Sequence, residues 1–207
     1  MSDIPGRLFV ITGGPGSGKT TLVDALNARG YFTLSEAGRT IIRDQVRVGG
    51  NALPWADAAA FAELMLAHDL RAYHTALRAD GPTFFDRGIP DIVGFLRLMS
   101  LPVPLHIHTA VRDHRYNRLV FLAPPWPAIF DQDAERKQTF AEAAATCDAM
   151  IDVYTEYGYD LLTLPLTTVE DRAEFVLAQA RRYANEVAGG HRLETAGSPN
   201  SLDSSGE

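Results

Sequence analysis

Residues 8 to 26 read LFVITGGPGSGKTTLVDAL, and the run Gly13, Gly14, Pro15, Gly16, Ser17, Gly18, Lys19, Thr20, Thr21 follows the spacing Gly-x-x-x-x-Gly-Lys-Thr. That Walker A spacing has a direct chemical use. Glycines let successive backbone N–H groups turn inward around phosphate oxygens, and a helix starting at the lysine adds the partial positive charge of its N-terminus. Lys19 would reach the β- and γ-phosphates, and the Thr20 hydroxyl would ligate Mg²⁺. A dinucleotide loop needs Gly-x-Gly-x-x-Gly, and here Gly14-x-Gly16 is followed by Lys19 at the third glycine position, which disfavours a nicotinamide cofactor. Two acids close short apolar runs further along, Glu36 after YFTLS and Asp86 after PTFF.

The elements that must carry these residues alternate. RLFVITG is a continuous β-rich run, the mark of a strand buried on both faces, and Leu22, Val23 and Leu26 then repeat at helical spacing up to Gly30. YFTLSE, PTFFDRG, RLVFLAPPW and YDLLTLP read as four further strands. Helical patterns separate them: GRTIIRDQV, Ala56 to Leu77, PDIVGFLRLM, a stretch after LPVPLHIH up to Tyr116, residues 131 to 157, and residues 168 to 187. Strands alternating with helices predict a three-layer α/β domain with a mainly parallel sheet. The expected organisation is one domain over residues 1–187 and a polar, Gly/Ser-rich disordered tail over 188–207.

Composition narrows the partners. The chain has 207 residues, 26 acidic and 19 basic, and a formal net charge of −7, which argues against nucleic acid or an anionic membrane as a partner. The N-terminus lacks a signal-peptide pattern, and no apolar run approaches the roughly 18 residues of a membrane span. A soluble, cytoplasmic protein is expected. A single cysteine, Cys147, excludes an internal disulfide and reads as a small apolar residue on a helix. His106, His108 and His114 lack the further ligands of a metal site and read as loop or helix-surface groups, and His68 and His74 as surface or satisfied core groups.

Four segments, TGGPGSGKTTL, SEAGR, FDRGIPD and VFLAPPWPAIFDQDAERKQTFAEA, resemble a bacterial family labelled predicted ATPases and related to the ribosylnicotinamide kinase domain. The resemblance covers about residues 7 to 185 and places the chain in the nucleoside and nucleotide kinase branch of P-loop NTPases. It implies a five-stranded sheet in the order 2-3-1-4-5, with Glu36 and Asp86 converging at the carboxyl ends of adjacent strands, where parallel sheets bind ligands. In such kinases the acid ending the third strand serves the metal, which assigns Asp86 beside Thr20; its alternative is to cap the following turn. An acid in the place of Glu36 takes the proton of the attacking hydroxyl; alternatively Glu36 pairs with Arg39 and only shapes the loop, and the choice of general base between Glu36 and Asp86 stays open. Arg87 holds substrate or phosphate, or pairs with a carboxylate.

Kinases of this branch also close an arginine-bearing lid between the fourth and fifth strands, for which Arg136 and Lys137 are the residues at hand. Cations in the first turns of a 131–157 helix oppose its dipole and invite an anion, although Asp131, Asp133 and Glu135 could balance them. Trp126 and Phe130 beside them stack on a ring or anchor the lid. Pro165 to Thr168 occupy the place where kinases hold adenine, and residues 38 to 80, with Arg39, Arg43 and Trp55, should line the acceptor pocket. The expectation is an ATP- and Mg²⁺-dependent phosphotransferase acting on a hydroxyl of a small, nucleoside-like molecule. The alternative is an ATPase working as a nucleotide-dependent switch or partner-binding protein; an N-K-x-D stretch is absent, which disfavours a GTPase. Neither the acceptor nor the oligomeric state is written in the sequence.

Overall fold

A computed structural model describes residues 5–130 and 139–194. Five strands, β1 (Leu8–Gly13), β2 (Phe32–Leu34), β3 (Thr83–Asp86), β4 (Leu119–Ala123) and β5 (Asp160–Thr163), form one parallel sheet in the order β2-β3-β1-β4-β5. The helices are α1 (Lys19–Ala28), α2 (Ala37–Val48), α3 (Ala58–Ala76), α4 (Ile89–Leu98), α5 (Leu105–Asp113), α6 (Phe140–Glu156) and α7 (Val169–Glu194). A parallel sheet needs a long crossover between neighbours, and helices on both faces supply it.

The central strand shows why its sequence is apolar throughout: every residue of β1 is buried. Side chains alternate between faces, so Leu8 and Val10 join one core with residues of α3, α4, α5 and α6, while Phe9 and Ile11 join the other with residues of α1 and α7. On that second face Phe84 stacks on Phe9 at 5.6 Å between ring centroids and meets the edge of Tyr31 at 5.7 Å. Register then positions the chemistry. Ile11 lies opposite Asp86, and Gly13 opposite Ala123, so β3 ends beside the start of the glycine loop.

Three element boundaries differ from the sequence expectation. Helix α6 begins at Phe140 rather than 131: Thr139 is its N-cap in extended conformation, accepting from the Glu142 N–H, while the Glu142 carboxylate accepts from the Thr139 N–H at 2.6 Å. A capping box ends a helix on its N-terminal side, and the expected lid residues are Arg136 and Lys137. Both lie outside the described residues. Helix α5 already starts at Leu105, which puts His106 and His108 on a helix, and α7 runs to Glu194 rather than ending at 187. Among the described residues no helix is long and apolar enough to cross a membrane.

Phe84→Ala should cost about 3–5 kcal/mol in urea unfolding, as expected for deleting a fully buried aromatic side chain. Val48→Ala, at a position 74% exposed, should move stability by less than about 0.5 kcal/mol.

Candidate active site

A cleft of about 1560 Å³ opens at the carboxyl end of the sheet. That exceeds the roughly 300–1,000 Å³ of a single small-molecule site and leaves room for two ligands side by side. One end is walled by Pro15 to Thr21, Trp126, Thr167 to Val169 and Arg172. The other is walled by Glu36 to Arg39, Ile42 and Arg43 of α2, then Trp55, Phe61, Asp69 and Phe95.

The glycine loop follows from close approach. Gly18 has φ +76°, and a Cβ there would lie 2.7 Å from Arg172 Nη1. A Cβ on Gly14 would collide with the Ala143 carbonyl of α6, so this backbone can run here only without side chains. Ser17 Oγ donates to the Gly14 carbonyl at 2.8 Å, and Lys19 Nζ donates to the same carbonyl at 2.6 Å and to Ser17 Oγ at 3.3 Å. Lys19 is thus folded back over the loop it must serve. Burial, and then the Arg87 charge, bring its ammonium down to about 8, although Asp86, Glu36 and Asp91 pull the other way.

Thr20 Oγ1 donates to Asp86 Oδ2 at 3.0 Å, although the two lie 66 positions apart in the chain. The other Asp86 oxygen, Oδ1, is buried without a partner. Burial, and second the Glu36 charge, raise this carboxyl to about 6. Asp86 does not cap the turn after β3; that turn is held by Asp91, whose Oδ2 accepts from the Gly88 N–H at 3.0 Å. A hydroxyl and an unsatisfied carboxylate oxygen side by side form the hard-oxygen donor set that suits Mg²⁺.

Arg87 binds both flanking acids. Its Nε donates to Glu36 Oε1 at 3.1 Å, and its Nη1 to Asp91 Oδ1 at 2.9 Å. Burial works against its charge, but Glu36, Asp91 and Asp86 outweigh this and raise its pKa. Burial likewise tends to raise Glu36, yet the charges of Arg87, Lys19 and Arg39 win and hold the carboxyl below its ordinary value. The ion-pair partner of Glu36 is therefore Arg87, while Arg39 acts on it through its charge. The Arg87 backbone sits at φ +71°, uncommon for a side-chain-bearing residue, with its N–H donating to the Ile11 carbonyl at 3.0 Å.

Three site groups escaped sequence reasoning. Asp91 accepts four hydrogen bonds, from Arg87, Gly88, the Thr12 hydroxyl at 2.7 Å and the Tyr154 hydroxyl at 2.7 Å. It stood inside the FDRGIPD segment, but only the fold brings Thr12 and Tyr154 to it. Asp69 enters the cleft wall from α3, its carboxyl raised by burial. Arg172 reaches the glycine loop from α7, where Nη1 donates to the Ser17 carbonyl at 3.0 Å; an arginine on a closing amphipathic helix carries no sequence signal of that. Conversely, three histidines bind elsewhere, His106 to Glu63 at 2.8 Å, His108 to the Tyr157 hydroxyl, and His114 to the Ala110 carbonyl at 3.0 Å, while His68 pairs with Asp69 at 3.1 Å. No group of three metal-ligating side chains occurs among the described residues. Cys147 is buried on α6.

A protein-family profile described as an AAA domain matches residues 8–172, and the chain belongs to that family. No curated protein matches it. Among solved structures, deoxyadenosine kinase from M. mycoides with bound dATP superposes with a TM-score of 0.60 at 12% identity, covering 84% of this chain and 99% of that one. NadR in complex with NR gives 0.64 at 17% identity, covering 86% of this chain and 49% of that one. Thymidylate kinase from Ehrlichia chaffeensis gives 0.54 at 15% identity, covering 83% and 97%. At these identities the likeness is one of fold: a P-loop kinase fold, with the glycine loop between β1 and α1 as in a nucleotide-binding, kinase-like protein.

The Asp86 pKa fixes the sign of a pH effect. Its folded value, about 6, lies above the ordinary 3.8, so the stability contribution present at low pH is lost as pH rises through about 6. Asp86→Asn should therefore be more stable than wild type at pH 7, by on the order of 2 kcal/mol. The advantage should shrink between pH 6 and pH 4. Urea unfolding of both proteins across that range, without ligand, measures the difference.

Proposed function

We propose that this member of the AAA-domain family is an ATP-dependent phosphotransferase that moves the γ-phosphoryl group to a hydroxyl of a small, nucleoside-like molecule. One observation carries the proposal: the Thr20–Asp86 hydrogen bond, with an unpartnered Asp86 oxygen beside it, in the same cleft as the Glu36–Arg87 pair. A protein that only sensed nucleotide would not need a second acid poised at the neighbouring strand end. The volume of the cleft, ample for two ligands, supports an acceptor as well as a donor.

The roles follow from the groups. The loop Gly13 to Thr21 holds the triphosphate through its N–H groups, and Lys19 exchanges the Gly14 carbonyl for phosphate oxygens, a stronger, charge-assisted partner. Thr20 and Asp86 would hold Mg²⁺, which when bound supplies charge neutralisation on the phosphate oxygens. Glu36, kept ionised and oriented by Arg87, accepts the proton of the attacking hydroxyl. A positioned carboxylate does this at a low pKa when the hydroxyl is within hydrogen-bond reach. Arg39 and Arg43, one helical turn apart on α2, and Trp55 flank the acceptor. Arg136 and Lys137, between β4 and α6 in the chain, close on the transferring group. The protein works in the cytoplasm as a single catalytic domain.

The test is ADP release from Mg·ATP with and without a pooled small-metabolite fraction. Wild type should show turnover that depends on the pool. Lys19→Ala should lose it by roughly 10²–10³-fold, the scale of removing one donor that stabilises transition-state charge. Glu36→Gln should lower kcat by about 10²-fold with little change in KM for ATP, and His74→Ala should match wild type. A slow rate indifferent to the pool would refute the transferase and leave a nucleotide-dependent switch.

A further inference from the structure

Arg172 projects from the first turns of α7 into the cleft wall and is 2% exposed. Among the described residues only one corner of its guanidinium is used, Nη1 on the Ser17 carbonyl at 3.0 Å. The remaining edge, Nε with Nη2, is buried without a partner. No carboxylate offsets its charge among the described residues; its pKa is lowered, and burial is the cause. The Trp126 ring covers the guanidinium face, 5.5 Å from its centroid.

A cation held this far from water with two idle donors is costly, and removing such a charge is often neutral or stabilising. Arg87, a half-buried arginine of the cleft, meets that cost with Glu36 and Asp91. Arg172 has no such pair among the described residues. The Nε/Nη2 edge is the fork that matches two oxygens of one anion, and a backbone carbonyl or a neutral base edge would leave the charge itself uncompensated. Its neighbour is the glycine loop, whose Gly18 would touch it if it carried a side chain.

We infer that Arg172 is a second phosphate-binding residue, which grips the nucleotide's phosphate chain with its Nε/Nη2 edge from the α7 side while its Nη1 holds the glycine loop in place. This deepens, and rests on, the proposal that the cleft binds a nucleoside triphosphate. Trp126 is then the cover that keeps water from the contact, so the segment after β4 and the start of α7 both shape the donor end.

The test measures binding of ATP, and of inorganic triphosphate as its competitor, to the full chain as wild type, Arg172→Met and Arg172→Lys. Calorimetry reads affinity, and thermal unfolding without ligand reads folding. Arg172→Met should bind both probes at least tenfold more weakly, while melting no lower than wild type, because a buried uncompensated charge has gone. Arg172→Lys, with the charge but not the fork, should recover part of the affinity. Should the methionine variant fail to fold, the lysine variant and Arg172→Gln carry the comparison.

Unchanged affinity for both probes in the folded variants would overturn the inference and leave Arg172 as a clamp on the loop. A loss confined to ATP, with competition by inorganic triphosphate intact, would also overturn it and assign the arginine to the nucleoside. So would a wild type that binds ATP and ignores inorganic triphosphate. If wild type binds neither probe, the nucleotide-binding proposal itself fails, and this inference with it.

Discussion

Arg87 is held in a left-handed backbone conformation by an acid on either side, and the geometry of the cleft follows from that arrangement. Its guanidinium joins Glu36, at the end of the edge strand, to Asp91, in the first turn of α4. Asp91 passes the connection to Thr12 on the central strand and to Tyr154 on α6. One half-buried cation thereby ties three strand ends and two helices at the mouth of the cleft. Buried ion pairs seldom add much net stability, because desolvation consumes what the Coulomb attraction returns. What this one supplies is position: Glu36 has an orientation because Arg87 has nowhere else to go.

The charges of the cleft are unequal in how they are satisfied, and that inequality carries information about function. Asp91 has a partner for each of its contacts and behaves as structure. Asp86 and Arg172 each retain buried polar atoms without partners. Native proteins leave few such groups, since each costs about 1–3 kcal/mol or more when charged. An orphaned carboxylate oxygen beside a hydroxyl and an orphaned guanidinium edge beside a phosphate loop have complementary needs, a cation and an anion. A metal–nucleotide complex brings both at once. The raised Asp86 and lowered Lys19 pKa values share a cause with this, because burial penalises both charges in the free protein.

The two ends of the cleft differ in character. The glycine-loop end is made of backbone, glycine and single charged groups. The other end is built from α2, α3 and α4, with Phe61 and Phe95 in edge contact at 5.4 Å and Asp69 half-buried among them. Apolar walls with two acids, Glu36 and Asp69, and two arginines of α2 suit recognition by shape and by a few polar contacts.

Much of this was legible in the sequence because it is local. A Gly-rich loop between an apolar β-rich run and a helical pattern declares itself through spacing alone, and the alternation of strands and helices sets a parallel three-layer sheet, whose order 2-3-1-4-5 the family resemblance supplied. Glu36 and Asp86 could be placed at strand ends for the same reason. The start of α6 was misread because charged residues before Thr139 have good helix propensity, whereas a capping box stops the helix there. What only tertiary structure decided is which charges meet: that Glu36 pairs with Arg87 rather than Arg39, that Asp91 gathers Thr12 and Tyr154 from 79 and 63 residues away, and that Arg172 lies under the glycine loop 155 residues from Ser17. Periodicity encodes which face of an element is buried. It does not encode which buried polar group will lie opposite, because that depends on how separate elements pack once the sheet has formed.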